Sequence, residues 1–173
     1  MSAQWKGDSP RDDATALLPM TVAQVEAVMA IEVAAYAFPW SRGNFIDSLA
    51  AAYPARVLKS ARGELLGYFV AMGGVGEMHL LNITVAPAAQ GRGHARVLID
   101  ALIGACREQH ARALWLEVRA SNAHARAMYL HLGFTQAGVR KNYYPAPFGR
   151  REDAVVMSLQ ISPTSPGAND ALG

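Results

Sequence analysis

A mixed three-layer α/β domain is the fold class that this 173-residue sequence predicts. Three observations point there. Stretches with strand-like alternation take turns along the chain with apolar stretches at helical spacing. Two of the strand-like stretches, "ARVLKS" (55–60) and "LLGYFVAMG" (65–73), are separated only by the turn "ARGE", which makes them a hairpin. A third, "EMHLLNITV" (77–85), is ended by Pro87 and leads through two glycines into a helix, the order found in α/β sheets.

Composition narrows the class. The chain is 51% hydrophobic and 17% charged, so it is globular rather than disordered, and it is long enough to bury a sizeable core. A net charge of +2 and a pI near 8.9 suit an anionic ligand, while the absence of a Lys/Arg block argues against nucleic acid as a partner. The single cysteine, Cys106, rules out an internal disulfide framework and fits a reducing cytoplasm. The opening "MSAQWKGDSPRDD" has no apolar signal core, and no run of about 18 apolar residues occurs. The expectation is a soluble cytoplasmic protein, with no membrane partner.

The elements follow in order. Residues 1–13 and 162–173 are read as flexible tails around one domain at 14–161. "TALLPM" is a short first strand. Thr21 and Gln24 form a capping-box pattern that opens a helix with Val22, Val25, Val28 or Met29, and Val33 near one face. After "FPW", Ser41 caps a short helix carrying Phe45, Ile46 and Leu49. The helix after the glycines presents Val97, Leu98, Leu102, Ala105 and Cys106. "ALWLEVRA" (113–120) is a strand, Ser121 or Asn122 caps "NAHARAMYLHL", and Gly133 ends that helix. "FTQAGVRKNYY" and "DAVVMSLQI" complete the sheet as a last pair of strands.

The stretch Gln90-Gly91-Arg92-Gly93-His94-Ala95 carries the first chemistry. A helix start preceded by glycines gathers unpaired N–H groups and the positive end of the helix dipole, which together suit an anion. It matches neither the nucleotide P-loop nor the dinucleotide fingerprint. It does fit Q/R-x-x-G-x-G/A and so resembles the pyrophosphate loop of the GCN5-related N-acetyltransferases. "WLEVRASNAHARAMYLHLGF", "RKNYYP…REDAVVMSL" and "AFPWS" extend the likeness to about residues 17–160, and resemble the ribosomal-protein-alanine branch of that family.

The resemblance implies the GNAT fold, a mixed sheet with splayed central strands and helices on both faces. It also implies acetyl-CoA as co-substrate, without a metal, and the N-terminal alanine of a small-subunit ribosomal protein as acceptor. Its cofactor residues are Ile83, Thr84, Val85, Gly91, Arg92, Gly93, His94, Ala95, Arg96 and Asn122. Glu117 matches the general base and Tyr129 the general acid. A monomer is expected.

The residues carry bland readings beside these. A carboxyl at Glu117, in a strand expected to be covered on both faces, is costly without a partner, and burial raises its pKa. Pairing with Arg119 or Arg126 would be the structural alternative. Tyr129 stands in line with Ala125 and Leu132, a core spacing, although a phenol can also protonate a thiolate. Asn122 is an N-cap whatever else it does. Phe38, Trp40, Tyr143 and Tyr144 are either core beneath a loop or a wall for the acceptor peptide, and the loop "YYPAPFGRRED" is one residue longer than the family's usual form. Cys106 is buried packing, and His124 and His131 mark a solvated helix edge. Acceptors broader than a ribosomal protein, or a silent acetyl-CoA-binding module, remain alternative functions.

Overall fold

A computed structural model describes residues 14–163. The two expected tails fall largely outside the described residues. Seven strands form one sheet: β1 (Thr15–Pro19), β2 (Ala55–Ser60), β3 (Leu65–Gly73), β4 (Glu77–Val85), β5 (Ala113–Arg119), β6 (Thr135–Pro145) and β7 (Arg151–Gln160). Their order is β1-β2-β3-β4-β5-β7-β6, so β7 inserts between β5 and β6. All neighbours are antiparallel except β4 and β5. That parallel pair bonds at only three positions, Glu77↔Ala113, Met78↔Leu114 and His79↔Trp115. Beyond His79 the strands part, and the free edges of both border a cleft in the middle of the sheet.

Helices cover both faces. α3 (His94–Glu108) and α4 (Ala123–His131) lie on one side, where Leu98, Ile99, Leu102 and Cys106 pack with Phe69, Met78, Leu114, Leu116 and Phe134. Each fully buried Leu or Ile there contributes about 1.5–3 kcal/mol. α1 (Val25–Ala35) and α2 (Arg42–Ala50) cover the other side with a second core of Val25, Val28, Phe45, Val57, Tyr68 and Val70. Cys106 is wholly buried and burial pushes its thiol up to about 11, in keeping with a packing role. No helix is long and apolar enough to cross a membrane among the described residues.

Two local readings needed correction. The capping pattern is in place, with Thr21 N donating to Gln24 Oε1 at 2.8 Å, but it opens a 3-10 turn before α1 begins. The inward face of α1 is Val25, Val28 and Glu32, while Val22 and Val33 stay exposed. A hydrophobicity pattern cannot anticipate a glutamate facing inward. Its reason is polar: Glu32 accepts hydrogen bonds from Tyr68 Oη, from Trp40 N at 2.9 Å and from Asn82 Nδ2 at 3.2 Å. Ser41, by contrast, caps α2 as expected, accepting from Asn44 N at 3.1 Å.

A bulge in β4 makes that network possible. Val70 pairs with Asn82 but Ala71 with Leu80, so Leu81 is an extra residue on β4. One extra residue flips the side-chain alternation that follows it. Asn82 and Thr84 are thereby turned toward α1, and Thr84 Oγ1 donates to Asn82 Oδ1 at 2.8 Å. Replacing Glu32 by Ala strands the buried donors of Tyr68 and Asn82 and the part-buried Trp40 N–H, each buried donor worth about 1–3 kcal/mol. Glu32→Ala is therefore expected to lose at least about 3 kcal/mol in urea unfolding.

Candidate active site

The two ends of the cleft are built by different physics. At one end, α3 starts directly after Gln90–Gly93. Gly91 and Gly93 have φ of +78° and +81°, a region that side chains with a Cβ avoid. A Cβ built on either glycine would meet nothing within 4 Å, so the need is backbone conformation and the space beside it stays open. The turn thus aims the first N–H groups of a 15-residue helix outward, with Arg92 and Arg96 at its mouth. This donor set fits a pyrophosphate. Across the cleft, Asn122 rather than Ser121 caps α4, its Oδ1 accepting from Ala125 N at 3.1 Å. Among the described residues its amide N–H groups have no partner. Ile83 and Val85 pack toward α3, while the Thr84 side chain is buried against Asn82 and Tyr36, so only the Thr84 main chain could meet a ligand.

At the other end stands Glu117. β5 is not covered on both faces. Leu114, Leu116 and Val118 are buried under the helices, whereas Trp115, Glu117 and Arg119 face the partly open side. The carboxyl side chain is 9% exposed and held from two directions. His79 Nε2 lies 2.6 Å from Oε2, and Arg140 Nε lies 3.3 Å from Oε1. Neither arginine expected from sequence is the partner. Arg119 instead bonds Glu152 at 2.8 Å and the Pro145 carbonyl at 2.7 Å.

The pKa of Glu117 runs opposite to the expectation from burial. The hydrogen bond from His79 holds it below the ordinary carboxylate value, more than offsetting desolvation, with the charges of His79 and Arg140 adding to the effect. Glu117 is therefore ionised at neutral pH. Its pairing stabilises the fold above the ordinary carboxylate range, and that contribution is lost as pH falls below it. An ionised carboxylate only accepts, so the facing Nε2 of His79 carries the hydrogen.

Tyr129 is buried on α4 with its ring edge-on to Phe134, the centroids 5.5 Å apart. Burial raises its pKa above that of a free phenol, and Tyr36 and Tyr144 lie near enough to raise it further. Tyr144 in turn feels Glu117 and is pushed up to about 12, mainly by burial. Tyr144 is thus electrostatically coupled to both Tyr129 and Glu117. Tyr36, half-exposed at the end of α1, bonds Thr84 Oγ1 at 2.7 Å on the same rim.

The four aromatics divide. The Arg119 guanidinium lies 5.2 Å from the Phe38 ring centre and 4.6 Å from that of Tyr144, and Tyr143 packs edge-on to Tyr144 at 4.9 Å. Phe38 and Tyr143 are both about two-fifths exposed, at 43% and 42%. Trp40 does not join them. It packs on Phe45 at 5.1 Å, beneath the loop. The longer turn before β7 places Phe148 at φ +61° and almost wholly in solvent.

His79, Arg140, Tyr36 and Glu32 were not legible as site residues. Period two does set His79 opposite Met78 and Leu80, but its bond to a residue 38 positions away is a product of the fold.

The match of residues 25–134 to the acetyltransferase (GNAT) family, with the cleft and loop just described, defines the class: the chain belongs to the GNAT acetyltransferase family and is an acyltransferase. Members of this family take their acyl group from acetyl-CoA. More particularly, the chain is 38% identical over 131 residues to the [ribosomal protein bS18]-alanine N-acetyltransferase of Haemophilus ducreyi, covering 76% of this chain and 90% of that one. It is 39% identical over 132 residues to the Escherichia coli K12 protein of the same name, covering 76% and 88%. The crystal structure of the Escherichia coli ribosomal-protein-S18-alanine N-acetyltransferase superposes with a TM-score of 0.79 at 36% identity, covering 92% of this chain and all of that one.

Proposed function

We propose that the protein is an N-terminal acetyltransferase, acting in the cytoplasm on the α-amine of an N-terminal alanine, with the ribosomal protein bS18 as its acceptor. The observation that carries this reading is Glu117, an ionised and largely buried carboxylate at the vertex of the β4/β5 cleft, in a chain more than a third identical to enzymes named for that reaction. Acetyl-CoA supplies the acetyl thioester. Residues 91–96 hold its pyrophosphate, the main chain of Ile83, Thr84 and Val85 lies along its pantetheine arm, and Asn122 donates to it from the opposite rim.

Glu117 takes a proton from the acceptor amine. Its weak basicity is matched to an α-amine. With a pKa of about 7.7–8.0, roughly a tenth to a fifth of that amine is neutral at pH 7, against under about one in a thousand for a lysine near 10.4. A main-chain N–H of residues 81–85 donates to the developing oxyanion. Tyr129 keeps its phenolic proton at neutral pH, which suits the group that protonates the departing thiolate. Phe38, Tyr143 and Tyr144 form the wall for the acceptor peptide, with Trp40 supporting it from the core.

CoA release tests the reading. Peptides with a free N-terminal alanine from bS18 are expected to be turned over, and the same peptides with a blocked N-terminus but a free lysine are not. Intact masses of ribosomal proteins from cells with and without this chain are expected to differ by one acetyl group on bS18. Release with small amines at the same efficiency would replace the proposed acceptor class. The cofactor half has its own check. Gly93→Val is expected to lower the ligand-free melting temperature by about 2–12 °C through backbone strain of about 1–3 kcal/mol, without loss of the fold. It should also abolish the upward shift on adding CoA. A full CoA shift in that variant would remove the loop from the binding site.

A further inference from the structure

His79 has no role in the reaction as set out above, yet it makes the shortest contact to the base, 2.6 Å from its Nε2 to Glu117 Oε2. Its position follows from the sheet. It is the last residue of β4 paired with β5 before the strands part, opposite Trp115, so its side chain and that of Glu117 meet at the vertex of the cleft. The two differ in access to water. The His79 side chain is 29% exposed against 9% for Glu117. His79 also lines a surface recess with Met72, Gly74, Glu77, Met78 and Trp115. The His79 side chain therefore has more contact with solvent than the carboxylate it holds.

We propose that His79 is a positioning residue of the acetyl transfer. Its Nε2–H orients the Glu117 carboxylate, and its protonation state sets how strongly that carboxylate attracts the acceptor's proton. This rests on the reading of Glu117 as the base. In both states of the ring the Nε2–H donates to Oε2, so the carboxylate is aimed the same way. The charge differs. An imidazolium beside a carboxylate favours the ionised form and makes it a reluctant proton acceptor, whereas a neutral imidazole leaves the hydrogen bond without that penalty.

The proton balance is simple. An acceptor N–H proton moves to Glu117, and the nitrogen electron pair forms the C–N bond. The thiolate leaves with the C–S electron pair and takes a proton, and His79 keeps its own Nε2–H throughout. Among the described residues, the other charged or titratable groups at the pair are Arg140 from β6 on Oε1, Glu77 at the rim of the recess, and Tyr144 beside Glu117. From β3, Met72 pairs opposite His79, and Gly74 just beyond the strand also lines the recess.

The test compares kcat/KM for an alanine-terminated peptide between parent and His79→Gln over about pH 5.5 to 9. The amine's own titration is common to both and cancels in their ratio. Glutamine retains a hydrogen-bond donor but no charge. The variant-to-parent ratio is expected to fall about tenfold as pH rises across that range. The same ratio taken in the Glu117→Gln background is expected to be flat. A flat ratio in the native background overturns the role of His79. Glu117→Gln separates the two failures: if it retains parental activity, the base assignment falls, and if it is slow while the ratio is flat, only the His79 proposal falls. Should His79→Gln fail to fold, the 15N resonances of His79 decide. In the parent at neutral pH Nε2 is expected to carry the hydrogen that faces Glu117, and an unprotonated Nε2 overturns the proposal.

Discussion

Glu117→Gln is expected to lower kcat/KM for an alanine-terminated peptide by about a hundredfold or more, the usual worth of a positioned base. Gln preserves the shape of the side chain, and its amide oxygen can still accept from His79 or Arg140, so the variant should fold. It cannot take a proton. Because the pKa of Glu117 is held below the ordinary carboxylate value, the base is already ionised throughout the range in which α-amines titrate. Protonation of Glu117 therefore does not shape the rate above about pH 5. What changes is the acceptor. As pH rises past about 8, the amine becomes neutral on its own and the advantage of a base shrinks. The deficit of the variant should narrow over that range. A deficit independent of pH would make Glu117 a structural carboxylate held by His79 and Arg140.

How much of this was readable in the chain depends on whether a feature is local. The bounds of β4, the cap at Ser41 and the glycines ahead of α3 depend on neighbours a few residues apart, and they stand where the residues put them. Strand order is different. The insertion of β7 between β5 and β6 leaves no mark in period-two alternation, yet it brings Arg140 within reach of Glu117. The buried face of α1 departs from the sequence expectation because Val33 has a core residue's character and Glu32 does not. Glu32 goes inside because Tyr68, Trp40 and Asn82 supply donors from 8 to 50 residues away. Its lining depends on a one-residue bulge in β4 that no residue type announces. The pKa of Glu117 departs from expectation for the same reason. Burial is foreseeable from an apolar strand, but a histidine 38 residues earlier is not.

For Tyr129, core packing and catalysis forecast different outcomes, and Tyr129→Phe separates them. The ring is buried and stacks edge-on with Phe134, and both features survive in phenylalanine. No hydrogen bond to the hydroxyl is found among the described residues, so removing it should cost no more than about 1 kcal/mol of stability. A core role alone therefore predicts nearly parental melting and a parental transfer rate. Catalysis predicts the same melting and similar acetyl-CoA affinity, but a transfer rate lower by about a hundredfold or more. A phenol raised by burial and by its neighbours Tyr36 and Tyr144 remains protonated at every pH at which the amine reacts, so it has a proton to give. The deficit of Tyr129→Phe should accordingly be level with pH, in contrast to that of Glu117→Gln. Single-turnover rates read beside thermal melts distinguish the cases. If Tyr129→Phe transfers acetyl as fast as the parent, the thiolate takes its proton from water and Tyr129 is there to pack.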